Sequence, residues 1–241
     1  MTTSGDTALP RAVELMWGME QAGGRGPKRT LTLDQILDAA TAVADAEGFA
    51  ALSMNRVAQH LGFTAMSLYR YVDSKNTLVD LLMDRIVGPP PEIADGTPWR
   101  AALEQWASAE FERLGRHSWW LDIPLSRPPM GPNNIAWLEA ALCALAETPV
   151  PEPAKLQLVT NVSMFVVGKR RFLRDLRAEE DGGAFVAVMA RVLDPQRFPA
   201  VSAALSAAAF DDDDVDWEQA DFEFGLARLL DGYEAFIATF A

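Results

Sequence analysis

Little in this chain serves redox, metal or catalytic chemistry. Among 241 residues there is one cysteine and there are two histidines. A lone thiol, Cys143, cannot close an intramolecular disulfide, which fits a cytoplasmic chain. Its neighbours Ala141, Leu142, Ala144 and Leu145 predict a buried, inert side chain. His60 and His117 stand far apart, with no carboxylate–histidine pair at helical spacing, so neither a metal site nor a cofactor is expected. GxSxG, HExxH and phosphate-loop patterns are all missing, and no enzyme is expected. Long apolar runs are missing as well: none reaches the ~18 residues that a membrane-spanning helix requires. Arg11 and Glu14 interrupt the N-terminus too early for a secretory leader.

Positive charge is also scarce. The formal net charge is −13, an unpromising balance for a partner of nucleic acid. The distribution matters more than the sum. Residues 1–87 carry eight Lys/Arg against ten Asp/Glu, whereas residues 88–241 carry thirteen against twenty-four. The acid therefore belongs mainly to the second part. Any affinity of the first part for phosphates must come from individually placed cations such as Arg25, Lys28, Arg29, Arg70 and Lys75.

What the chain does have is a dense local signal at residues 53–75, SMNRVAQHLGFTAMSLYRYVDSK. Ser53 is a favoured N-cap, and Val57 and Leu61 follow at helical spacing. Gly62 suits the left-handed conformation that ends a helix. Thr64 then opens a second helix over residues 65–71, with Leu68 and Val72 inward and Ser67, Tyr69, Arg70 and Tyr71 outward. Two short helices joined by a tight glycine turn make a helix-turn-helix, whose second helix reads the DNA major groove.

The pattern LxxxxVAxxLGxxxxSLYRYVxxKxxLxxxL, from Leu52 to Leu82, resembles the DNA-binding domain of TetR-family transcriptional regulators. That resemblance implies groove contacts at Asn55, Thr64, Ala65, Met66, Ser67 and Arg70, and phosphate contacts at Ser53, Tyr69, Tyr71 and Lys75. Asparagine can read adenine with two hydrogen bonds, and Met66 or Ala65 can meet a thymine methyl. Arg56 is either a phosphate contact or an internal ion-pair partner, the latter slightly favoured. A glycine-rich basic stretch at residues 21–29 precedes this head. It reads as a plain linker or as an arm whose Arg25, Lys28 and Arg29 reach DNA.

The expected organisation is all-α. Residues 1–30 form an N-terminal extension, with a short helix over residues 11–19. Residues 31–87 form the helix-turn-helix domain, and residues 88–241 form a helical ligand-binding and dimerisation domain. Gly88 and the three prolines after it set the boundary. Beyond it, helices are expected over residues 98–116, 133–147, 153–176, 184–193, 199–210 and 217–240. The last has an apolar stripe too wide for one buried face. By resemblance, this helix and residues 153–176 build a homodimer.

The same resemblance implies a small-molecule effector. Trp106, His117, Asn134, Trp137, Asn161 and Phe165 mix aromatic walls with polar anchors, as small-molecule sites do. The reading is a homodimeric repressor of a palindromic double-stranded operator, released by a small hydrophobic or aromatic effector, with no membrane involvement. The competing reading is a constitutive DNA-binding regulator without an effector.

Overall fold

The computed structural model describes residues 8–19, 31–124, 128–178, 188–189, 191–207 and 217–241. Among the described residues the chain is all-helical, as expected. Arg25, Lys28 and Arg29 lie outside the described residues, as do five of the ten residues of the helix expected over residues 184–193.

The N-terminal helix α1 (Arg11–Met16) is followed by α2 (Leu33–Glu47), which begins at a reciprocal capping box. Gln35 donates its backbone N–H to Thr32 Oγ1 at 3.2 Å, and Thr32 donates its own to Gln35 Oε1 at 2.9 Å. Ile36, Leu37, Ala40, Val43 and Ala44 form the inner stripe of α2. It packs against α3 (Met54–Leu61) and α5 (Lys75–Val87), and α4 (Ala65–Leu68) packs against α3. Leu52, Val57, Leu68, Val72, Leu78 and Leu82 are fully enclosed there. Each such burial contributes about 1.5–3 kcal/mol relative to an exposed side chain. Arg85 of α5 adds a fork to Asp34 and Asp38 of α2, which holds its guanidinium above the ordinary range although burial opposes the charge.

Two further helices pack with this head: α6 (Trp99–Gly115) and α7 (Pro132–Ala144). Trp106 and Trp137 meet edge to face at 5.7 Å. Trp106 Nε1 donates to the Trp137 carbonyl at 2.8 Å, and Trp137 Nε1 donates to the Gly88 carbonyl at 2.9 Å. Asp84 of α5 reaches the first turn of α7, where Pro132 lacks an N–H and the next two are orphaned. It accepts from the backbone of Asn133 at 3.3 Å and of Asn134 at 2.9 Å. Gly131 is required by space here, since a Cβ on it would lie 2.1 Å from Asp84 Oδ1.

These ties place α6 and α7 in the same compact unit as the head. That unit runs from Met1 to Thr148, and a second runs from Pro149 to Ala241. In the second unit, α8 (Glu152–Ala178) packs against α10 (Trp217–Ile237), while α9 (Pro199–Ser206) is exposed or half-buried throughout. Val159, Val162, Val166 and Leu173 are buried on α8, and Phe222, Leu226, Leu230 and Tyr233 on α10. Tyr233 donates its hydroxyl to the Leu158 carbonyl at 2.8 Å, and Lys169 pairs with Asp221.

Cys143 differs from expectation. It is exposed, with its thiol 3.6 Å from Glu139 Oε1. Trp137, Ala141 and Leu145 occupy the buried face of this segment, and Cys143 sits about 200° around the helix from Ala141. Local desolvation first, and then the Glu139 charge, push its thiol pKa up.

Candidate nucleic-acid interface

The reading head is built from three local stops and starts. Ser53 Oγ accepts the Arg56 N–H at 3.2 Å and so fixes the start of α3. Gly62 ends α3 at φ 73°, a left-handed conformation that costs a Cβ-bearing residue about 1–2 kcal/mol. Ser74 Oγ accepts the Thr77 N–H at 3.1 Å and starts α5, which places Lys75 at its first position.

Between these, α4 is shorter than the seven residues expected from the sequence. It ends at Leu68 because the next turn tightens: Tyr71 donates its N–H to the Leu68 carbonyl at 2.8 Å, as helix ends often do. Thr64 precedes α4 without capping it through its side chain. Its hydroxyl instead lies 3.1 Å from Ser67 Oγ.

Around this turn Asn55, Thr64, Met66, Tyr69 and Arg70 are exposed, and Met66 is 75% accessible. A methionine left that open beside fully enclosed Leu68 contributes nothing to the core. Ser67 is half-buried. Ala65 and Tyr71 pack partly against the core, so their side chains serve the fold as well as the surface. Ser53 has its hydroxyl occupied by the cap.

Lys75 is exposed, its ammonium 5.1 Å from the centre of the Phe49 ring. Arg56 is not available to phosphates in this arrangement, because its Nε lies 3.0 Å from both oxygens of Glu47. The ion pair lowers the Glu47 pKa, chiefly through the hydrogen bond from Arg56.

Of the six candidate effector residues, Trp106, His117, Asn134 and Trp137 belong to the first unit, and Asn161 and Phe165 to the second. Trp106 and Trp137 touch each other. His117 Nδ1 lies 2.7 Å from Asp45 Oδ1 on α2, and Trp119 donates to the same oxygen at 2.6 Å. Asn134 is held by Asp84 through its side-chain amide as well, at 2.8 Å. In the second unit, Asn161 hydrogen-bonds the Tyr233 hydroxyl, and Phe165 stacks on Phe222 at 5.9 Å. Asp45 and Asp84 are organising residues that sequence reasoning misses. Nothing in their immediate sequence marks them, since their partners lie 49 to 74 positions away.

The fold and its exposed reading turn define a helix-turn-helix DNA-binding regulator. Residues 36–82 match the family model of bacterial regulatory proteins of the tetR family, and residues 90–237 match the tetracyclin repressor-like C-terminal domain. The chain is 39% identical over 248 residues to the HTH-type transcriptional repressor DrrR1 of Streptomyces coeruleorubidus, an alignment covering 98% of this chain and 89% of that one. Its fold matches apo ActR from Streptomyces coelicolor with a TM-score of 0.74 at 25% identity, covering 89% of this chain and all of that one. It matches ActR in complex with actinorhodin with a TM-score of 0.73 at 25% identity, covering 87% of this chain and 99% of that one. The chain belongs to the TetR family of transcriptional regulators.

Proposed function

We propose that this protein is a transcriptional repressor that binds a palindromic operator as a homodimer and releases it on binding a small hydrophobic or aromatic effector. The observation that carries the DNA half is the exposed set Thr64, Met66, Tyr69 and Arg70 on a turn anchored by enclosed Leu68 and Val72. Such a surface costs the fold nothing to keep and is shaped for a groove. Lys75 and the tyrosine hydroxyls would set register on the phosphates, while Asn55, Thr64, Ala65, Met66, Ser67 and Arg70 would face bases. Arg25, Lys28 and Arg29 would extend the contact as an arm.

Homodimer formation through α8 and α10 is supported by the apolar side chains these helices leave open in the single chain, among them Met164, Phe172, Phe224 and Phe236. A dimer would set two reading heads on successive major grooves. A division of labour between residues 31–87 and 88–241 is supported by the two family matches, over residues 36–82 and 90–237.

The effector is supported by the likeness to ActR, whose structure is known with actinorhodin bound. For the effector to act, it must bind the operator-incompetent conformation better than the operator-bound one. Trp106, Trp137, Asn161 and Phe165 are the residues we assign to its recognition, with His117 and Asn134 only if their aspartate partners let go. Those two aspartate bonds also favour the second reading, a constitutive regulator in which the same residues are purely structural.

The test is a mobility shift on DNA flanking the protein's own gene, with wild type, Lys75→Ala and Met66→Ala. Saturable wild-type binding that both substitutions weaken supports the reading head. The retarded complex then serves to screen flat aromatic compounds for release. Operator binding that no such compound disturbs favours the constitutive reading.

A further inference from the structure

Beside the reading head the first unit contains an unfilled cleft of about 420 Å³, bounded by α1, α5 and the residues leading into α7. Met16, Val79, Met83 and Met130 are among the apolar side chains that line it. A six-residue helix such as α1 has no stability of its own. Its place is fixed by the buried Ala12 and by Trp17 Nε1, which donates to the Met130 carbonyl at 2.9 Å. Helix α1 therefore borders a cleft that its own side chains leave open.

The volume falls within the ~300–1,000 Å³ of small-molecule sites, and methionine walls adapt to the shape of an occupant. Charge narrows the choice. Lys75 and Asp80 both line the cleft. Asp80 already has a partner, whereas Lys75 forms no ion pair among the described residues and rests only against the Phe49 ring. An apolar cavity with one uncompensated ammonium suits a compact hydrocarbon or aromatic body carrying an anionic group.

We propose that this cleft binds an amphipathic organic anion, with its apolar body against Val79, Met83 and Met130 and its charged group on Lys75. Regulation follows if the assignment of Lys75 to a DNA phosphate holds, on which this part rests. One ammonium would then serve two anions, so occupant and operator would exclude each other directly at the head.

The probe is 8-anilinonaphthalene-1-sulfonate, titrated into the full chain by fluorescence, with circular dichroism melts to check each variant's fold. Wild type should show saturable 1:1 binding. Lys75→Gln should weaken it at least fivefold, and Pro129→Trp, a bulky change on an exposed part of the wall, should abolish it. Binding that both folded variants leave unchanged overturns the proposal. So does the lack of any saturable signal in wild type, which would mean that the chain itself takes up the space. Adding operator should displace the probe. Displacement that fails while both variants behave as expected overturns only the DNA assignment of Lys75. Operator binding that remains sensitive to Lys75→Gln, with a probe indifferent to it, overturns the cleft.

Discussion

Asp84 and Asn134 form a joint between two helices fifty residues apart in sequence: Asp84 Oδ1 accepts the backbone N–H of Asn134 at 2.9 Å and its side-chain amide at 2.8 Å. Asn133 adds its own amide to Asp84 Oδ2 at 3.1 Å and to the Asp84 carbonyl at 3.0 Å. The carboxylate is thus an N-cap supplied from another helix. It welds the end of α5, the last helix of the DNA head, to the start of α7.

Asp84→Ala should destabilise the chain by about 2–3 kcal/mol, because it removes a cap and leaves half-buried donors unpaired. Asp84→Asn should cost less, since one amide oxygen can still accept. Urea midpoints at unchanged slope would establish both values, and an Asp84→Ala midpoint equal to wild type would refute the role.

Gly131→Ala attacks the same joint from the other side. The added methyl would sit 2.1 Å from Asp84 Oδ1 and 2.6 Å from Asp84 Cβ, so the aspartate or the helix start must move. The expected loss is about 2–4 kcal/mol, in the range of severe overpacking. A thermal melt is sufficient to read it.

Stability of the second unit should fall at high pH through Tyr233. Burial raises its pKa from 10 to about 12, against a lesser lowering by the Asn161 hydrogen bond. Between those values the unfolded chain loses the phenolic proton while the folded one keeps it. The unfolded state then binds fewer protons, and stability declines as pH rises from 10 to about 12. Tyr233→Phe should be weaker near neutrality, without the bond to Leu158, yet show a shallower decline over that window. Melts at pH 9 to 11.5, about the span in which the two ionisations separate, would compare the slopes.

On DNA, Lys75→Ala should reduce the slope of log affinity against log salt by about 1, as expected when one phosphate is no longer neutralised. Met66→Ala carries no charge change and should leave that slope alone while altering the preference among operator variants. Equal slopes for wild type and Lys75→Ala would remove Lys75 from the phosphate set.

The head is legible in the sequence because its determinants are local. Ser53, Gly62 and Ser74 each act on partners within four residues, so sequence alone places the three boundaries. The joints are not legible, because Asp84 meets Asn134 and Asp45 meets Trp119 only after the chain has folded back. The same non-local packing explains why α6 and α7 fall in one compact unit with the head, where composition suggests a break at Gly88. Cys143 misleads because a run of apolar neighbours does not say which side of the helix faces water. The aspartate partners of His117 and Asn134 are invisible in sequence because they come from distant stretches of the chain.

Because α4 is a single turn whose only buried residue is Leu68, the parts that hold the head together and the parts that face outward hardly overlap. Thr64, Met66, Tyr69 and Arg70 are open to substitution without a stability penalty from the core. On the reading proposed above, operator preference would then be an evolvable trait, free to drift to new promoters or to be re-engineered by saturation at Thr64, Met66 and Arg70 while the scaffold stays intact.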